Sequence, residues 1–221
     1  MYRSVGAVDP DGIQTIANAY EVGFEDVEAY IFPDSSAGDA ATQVLDTLEA
    51  LRKNPRMPSI IWLDIEGPNM YWSSDLEANE AFIQDLINTL ESNSNGGEFS
   101  IGIYTSESQW SGIVPRGSTL GTGLPLWYAA YNGDPTFSGW RPFAVWSKPS
   151  RHQYSPSGGQ CGGNYDVNWQ PPGSNPATTS ATATTHHTTV SSSGISTGST
   201  GSYSSGVSGT ISYGGVSTSS D

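Results

Sequence analysis

The 221-residue chain has a single cysteine, Cys161, so it cannot form a disulfide within itself. Its three histidines are His152, His186 and His187, and two of these lie in a low-complexity tail. The soft ligands of the globular part are therefore Cys161 and His152 alone, too few for a zinc or iron site. No metal and no cofactor is expected. Basic residues are also scarce: 8 Lys+Arg stand against 22 Asp+Glu, for a net charge of −14. Such a surface is not steered towards nucleic acid or anionic membranes. No apolar run is long enough to span a bilayer, and Met1-Tyr2-Arg3-Ser4-Val5-Gly6 holds no apolar signal-peptide core. From residue 172 onward there is no Lys, Arg or Glu, and Asp221 is the one acid. The composition there is Ser, Thr and Gly-rich, which cannot build a core. Residues 172–221 are expected to be disordered, either as an unmodified tail or as an O-glycosylated stalk.

Residues 1–171 read as one globular domain with alternating strand and helix signals. Asp9-Pro10-Asp11 opens a helix with Ile13, Ile16, Ala17 and Tyr20 on one side, closed by Gly23. Residues 27–32 read as a strand. Residues 37–52 and 75–91 carry apolar side chains at helical spacing, including Val44, Leu48 and Leu51 in the first and Phe82, Ile83, Leu86 and Leu90 in the second. Strands are expected at 60–66, 100–104 and 126–131, with short ones near 143–146, 152–154 and 166–169. Helices between strands imply parallel pairing through crossovers, and the last part closes with strands alone.

Chemistry concentrates at Ser59-Ile60-Ile61-Trp62-Leu63-Asp64-Ile65-Glu66-Gly67. This apolar, β-branched run reads as a buried strand ending in two acids. Residues i and i+2 of a strand share a face, about 6.5–7 Å apart. Asp64 and Glu66 therefore project together, and repulsion with burial raises the pKa of at least one. A protonated acid beside an ionised one can cleave a glycosidic bond. The alternative is a strand emerging into solvent with two surface acids. In a parallel barrel the site gathers at the C-terminal strand ends. Tyr30, Asp64, Glu66, Tyr104, Trp127, Tyr131, Gln153 and Asp166 fall there, as an aromatic cleft with carboxylates at its centre. For each aromatic the competing reading is core packing. A serine hydrolase is disfavoured: Ser150 and Ser155, the neighbours of His152, fall in a strand-flanking loop, not on a sharp strand-to-helix elbow.

These stretches together resemble the glycoside hydrolase 25 family, the lysozymes of the Chalaropsis type, and especially their nematode branch. The resemblance runs through Gly6-Ala7-Val8-Asp9-Pro10-Asp11-Gly12, Ile61-Trp62-Leu63-Asp64-Ile65-Glu66, Ile101-Gly102-Ile103-Tyr104-Thr105, Leu126-Trp127-Tyr128-Ala129-Ala130-Tyr131 and the segment from Cys161 to Trp169. It implies a flattened α/β barrel of the (β/α)5(β)3 type. It also implies a β-1,4-N-acetylmuramidase acting as a monomer on bacterial peptidoglycan, outside the cell or in a vacuole or lysosome. By matching positions Glu66 is the general acid. Asp64 stabilises the charged intermediate or positions the substrate acetamido group, and Asp166 is a third site carboxylate. Tyr30, Tyr104, Trp127, Tyr131 and Gln153 line the sugar groove. The family begins one strand and one helix earlier, with a further site aspartate, so the resemblance implies a truncated barrel with an open seam and a missing partner for Cys161. A catalytically impaired glycan-binding module of the same fold and a mucin-like interaction protein are the competing functions.

Overall fold

The computed structural model describes residues 1–158 and 165–174; Cys161 and nearly all of the low-complexity tail lie outside them. Each long helix starts at an aspartate whose carboxylate caps free N–H groups. Asp9 accepts from Asp11 N (3.1 Å) at the head of α1 (Pro10–Glu21), where Pro10 takes the first helical position. Asp39 accepts from Thr42 N (2.7 Å) at α2 (Ala40–Leu51), and Asp75 from Ala78 N (3.0 Å) at α3 (Leu76–Ser92). Gly23, at φ +97°, takes the left-handed conformation just past α1.

The strands are β1 (Tyr2–Arg3), β2 (Ala7–Val8), β3 (Ala29–Ile31), β4 (Ile60–Asp64), β5 (Ser100–Thr105), β6 (Leu126–Ala129), β7 (Arg151–Gly158) and β8 (Tyr165–Trp169), with a short helix α4 (Glu107–Ser111) after β5. They form one eight-stranded sheet in the order β2-β1-β3-β4-β5-β6-β7-β8. Pairing is parallel from β1 to β7 and antiparallel at the two ends. The edge of β1 that the sequence leaves open is covered by β2, which doubles back to pair Tyr2 with Val8 and Arg3 with Ala7. Among the described residues no pairing joins β2 to β8.

β4 is buried on both faces, and its alternation sorts two cores. Ile61, Leu63 and Ile65 point to the helices and pack in the large core with Val44, Leu48, Leu51, Ile83, Leu86 and Leu90. Ile60 and Trp62 point the other way, into a small aromatic core with Tyr104 and Trp127, flanked by Tyr30 and Ala129. The expected strand at 143–146 is absent. Phe143 and Trp146 form one antiparallel bridge about a turn in which Ala144 has φ +45°. That turn folds the aromatics inward, with Trp146 edge-on to Trp110 and Phe143. The other predicted elements occur with their ends shifted by a few residues; the 126–131 strand stops at Ala129.

Candidate active site

Register carries the chemistry-bearing residues onto the face opposite the helices. Tyr30 pairs with Trp62, Trp62 with Gly102, Asp64 with Tyr104, Tyr104 with Trp127, and Gln153 with Asn168. One surface thus collects β3's Tyr30, β4's Trp62 and Asp64, β5's Tyr104, β6's Trp127, β7's Gln153 and β8's Asp166.

The floor of this surface was not foreseen from the sequence. Glu28, just before β3, forms a buried ion pair with Arg151 at the start of β7, and Trp62 Nε1 donates to the other Glu28 oxygen (2.7 Å). Burial lifts the Glu28 carboxyl to about 7 even against the guanidinium and the indole N–H. Trp62 lies flush on β5 because its neighbour is glycine: a Cβ at Gly102 would sit 2.3 Å from the Trp62 ring. Trp127 stands edge-on to Trp62 and Tyr104 (centroids 5.7 and 4.7 Å), and its Nε1 donates to Asn168 Oδ1 (2.8 Å). The only sequence signal for the floor is period-2 spacing: Glu28 precedes Tyr30, and Arg151 precedes Gln153, by two residues on one face.

Above the floor, Gln153 gathers three site residues. Its Oε1 accepts from Tyr104 Oη (2.7 Å) and Tyr131 Oη (2.8 Å), and its Nε2 donates to Asp166 Oδ2 (3.1 Å). Tyr104, Trp127 and Gln153 are buried, Tyr30 is half-buried, and Tyr131 stands open at the rim, 55% exposed.

Asp64 closes β4 and is 8% exposed, and its Oδ1 is buried without a hydrogen-bond partner. Burial first, and the neighbouring Glu66 second, push its carboxyl well above the ordinary range. The structure places no hydrogen-bond donor on that oxygen. Glu66, one residue beyond Ile65, is half-buried and also raised, by burial and then by Asp166. Asp166 is raised by burial. Three acids thus share one face, and a charge on Glu66 opposes ionisation of Asp64. Among the described residues no group of three or more His, Cys, Asp or Glu is arranged to hold a metal ion.

His152 has no part in a nucleophilic triad. Its Nδ1 faces Thr136 O (2.7 Å), its Nε2 faces Ala130 O (2.8 Å), and its ring stacks on Tyr128.

Comparison with known proteins gives one consistent result. A family model described as "Lysozyme-like protein 1" matches residues 1–154. A probable GH family 25 lysozyme 2 of Dictyostelium discoideum is 42% identical over 170 residues, covering 77% of each chain. Lysozyme-like protein 5 of Caenorhabditis elegans is 38% identical over 174 residues, covering 77% of this chain and 78% of its own. Among solved structures, a family GH25 lysozyme from Aspergillus fumigatus superposes with a TM-score of 0.53 at 19% identity, over 76% of this chain and 78% of the other.

Proposed function

The chain belongs to the glycoside hydrolase family 25 lysozymes, and on that footing we propose that it is a β-1,4-N-acetylmuramidase hydrolysing bacterial peptidoglycan. The observation that carries this reading is the acid pair on the inner face: Asp64, sealed and with Oδ1 unpartnered, beside the more accessible Glu66. A coupled pair holding one proton has both an acid to give and a negative charge to keep. Glu66, further out along the chain, protonates the glycosidic oxygen as the C1–O bond breaks. Substrate binding brings an N–H donor to Asp64 and so favours the form of the pair in which Glu66 holds the proton and Asp64 is the anion. Asp64 then faces the positive charge that develops on the sugar ring, and water adds at C1 and returns a proton to Glu66. An acceptor to which nothing is donated also suits the N–H of a substrate acetamido group. Asp166 raises the affinity of Glu66 for its proton. Tyr131 at the rim offers a ring for a sugar face, while Tyr30, Tyr104, Trp127 and Gln153 shape the groove beneath.

The fold is read as a flattened (β/α)5(β)3 barrel, supported by the parallel run from β1 to β7, the helices packed on one face and the strand-only closing segment. A net charge of −14 suits antibacterial defence or digestion in an acidic gut or vacuole better than in open fluid, because an anionic wall repels it at neutral pH.

Glu66→Gln is expected to lower turnover of peptidoglycan by about 10²–10⁴-fold, with folding and wall binding intact. A folded Glu66→Gln protein that clears walls at near wild-type rate would mean that the acid is elsewhere, with Asp166 next in line. A wild-type protein that binds walls without turnover would make the chain a glycan-binding module instead.

A further inference from the structure

Glu66 lies past the end of β4, where the sheet no longer orders the backbone, yet the peptide that follows it is held at both polar groups by side chains. Trp72 Nε1 donates to Glu66 O (2.9 Å), and Gln109 Oε1 accepts from Gly67 N (2.8 Å). The preceding residue is fixed as well: Ile65 N donates to Tyr104 O (2.9 Å), and Thr105 Oγ1 donates to Ile65 O (2.7 Å). Trp72 belongs to the same loop as Glu66, so Gln109 is the contact that ties this peptide to a separate element.

That element is built for the purpose. α4 has only five residues, capped by Ser106 and anchored by Trp110, which is buried edge-on against Trp146. Its C-cap Gly112 lies so close to the Glu66 loop that a Cβ there would be 2.8 Å from Pro68 Cβ. Gly67 adopts φ +75°, with Tyr71 packed where its side chain would be (2.5 Å from an added Cβ). Gly67, through Gln109, and Pro68, through Gly112, are therefore docked onto α4 and its C-cap.

We infer that Gln109 is a positioning residue for proton donation: its Oε1 fixes the 66–67 peptide and thereby the point from which the Glu66 carboxyl reaches the glycosidic oxygen. This rests on the reading of Glu66 as the acid. Proton donation requires heavy atoms within about 2.6–3.2 Å, and a misplacement of about 1 Å costs around 10²-fold. Glutamine suits the post because it accepts the Gly67 N–H without adding a fourth negative charge to the site.

The test compares Gln109→Met, which keeps the length but removes the acceptor, with Gln109→Glu, which keeps the acceptor, both in the full chain. The substrates are peptidoglycan and an oligosaccharide carrying a dinitrophenyl leaving group, which departs without help from an acid. Gln109→Met is expected to lose about 10–100-fold in kcat on peptidoglycan with KM unchanged, and to lose far less on the aryl glycoside. Compared below about pH 4, where the new carboxyl is largely uncharged, Gln109→Glu should recover most of the loss on peptidoglycan. Equal losses on both substrates, a wild-type rate for Gln109→Met, or a Gln109→Glu protein as impaired as Gln109→Met would each overturn the inference. Glu66→Gln is run beside them. If it is inactive on peptidoglycan while Gln109→Met is normal, the positioning role alone fails; if Glu66→Gln turns over at wild-type rate, the acid assignment fails and the positioning role with it.

Discussion

At the scale of single residues, the site holds its acids at a cost to the fold. Asp64 is raised by burial and by Glu66, so the unfolded chain ionises near pH 4 while the folded protein still keeps the proton. Stability attributable to this group is therefore highest below about pH 4 and declines as pH rises towards the folded-state value. Asp64→Asn, neutral at every pH, should unfold at a higher temperature than wild type near neutrality, with the gap closing as pH drops below about 4. Melting curves across that range check it, and a gap independent of pH would place the effect in packing. Asp64 and Glu66 were legible because spacing alone puts them on one face. Tyr104, Trp127 and Gln153 were legible as positions, but not as a hydrogen-bonded floor. The Glu28–Arg151 pair was not legible, since its partners lie 123 residues apart and nothing local marks either as buried.

At the scale of elements, helix existence was readable from the Asp9-Pro10-Asp11 start of the first helix and from the apolar spacing of the other two, whose aspartate caps the structure adds. The aromatic segment 143–146 was misread because a short continuous apolar run, Phe143-Ala144-Val145-Trp146, looks alike in a strand and in a turn that folds rings into a core. The two-residue β2 was missed because it carries no period at all. The tightest joint between elements is β4 against β5, where Gly102 makes room for Trp62. Gly102→Ala should force the indole off its bed and cost about 1–3 kcal/mol of stability. Combining it with Trp62→Phe should recover part of that loss, which denaturant titration of the single and double variants can measure. Additive losses would show that the added methyl collides with something other than the indole ring.

At the scale of the molecule, a net charge of −14 opposes an anionic bacterial wall. The screening length shrinks from about 30 Å at 0.01 M salt to about 8 Å at 0.15 M. Initial rates on whole walls should therefore rise over that range and also on acidification, while rates on a short uncharged oligosaccharide stay flat with salt. A rise of equal size on both substrates would place the salt effect within the site. The order of the sheet has a consequence of another kind. From β3 to β8 each strand lies beside the one synthesised just before it, so the sheet can grow by one short closure at a time, the cheapest route in chain entropy. A nascent chain then possesses Asp64 and Glu66, backed by their helices, long before it possesses Gln153 and Asp166. Arg151 and Asn168, which complete the floor, arrive on the same two strands, so β7 and β8 decide when a folded polypeptide becomes a competent site.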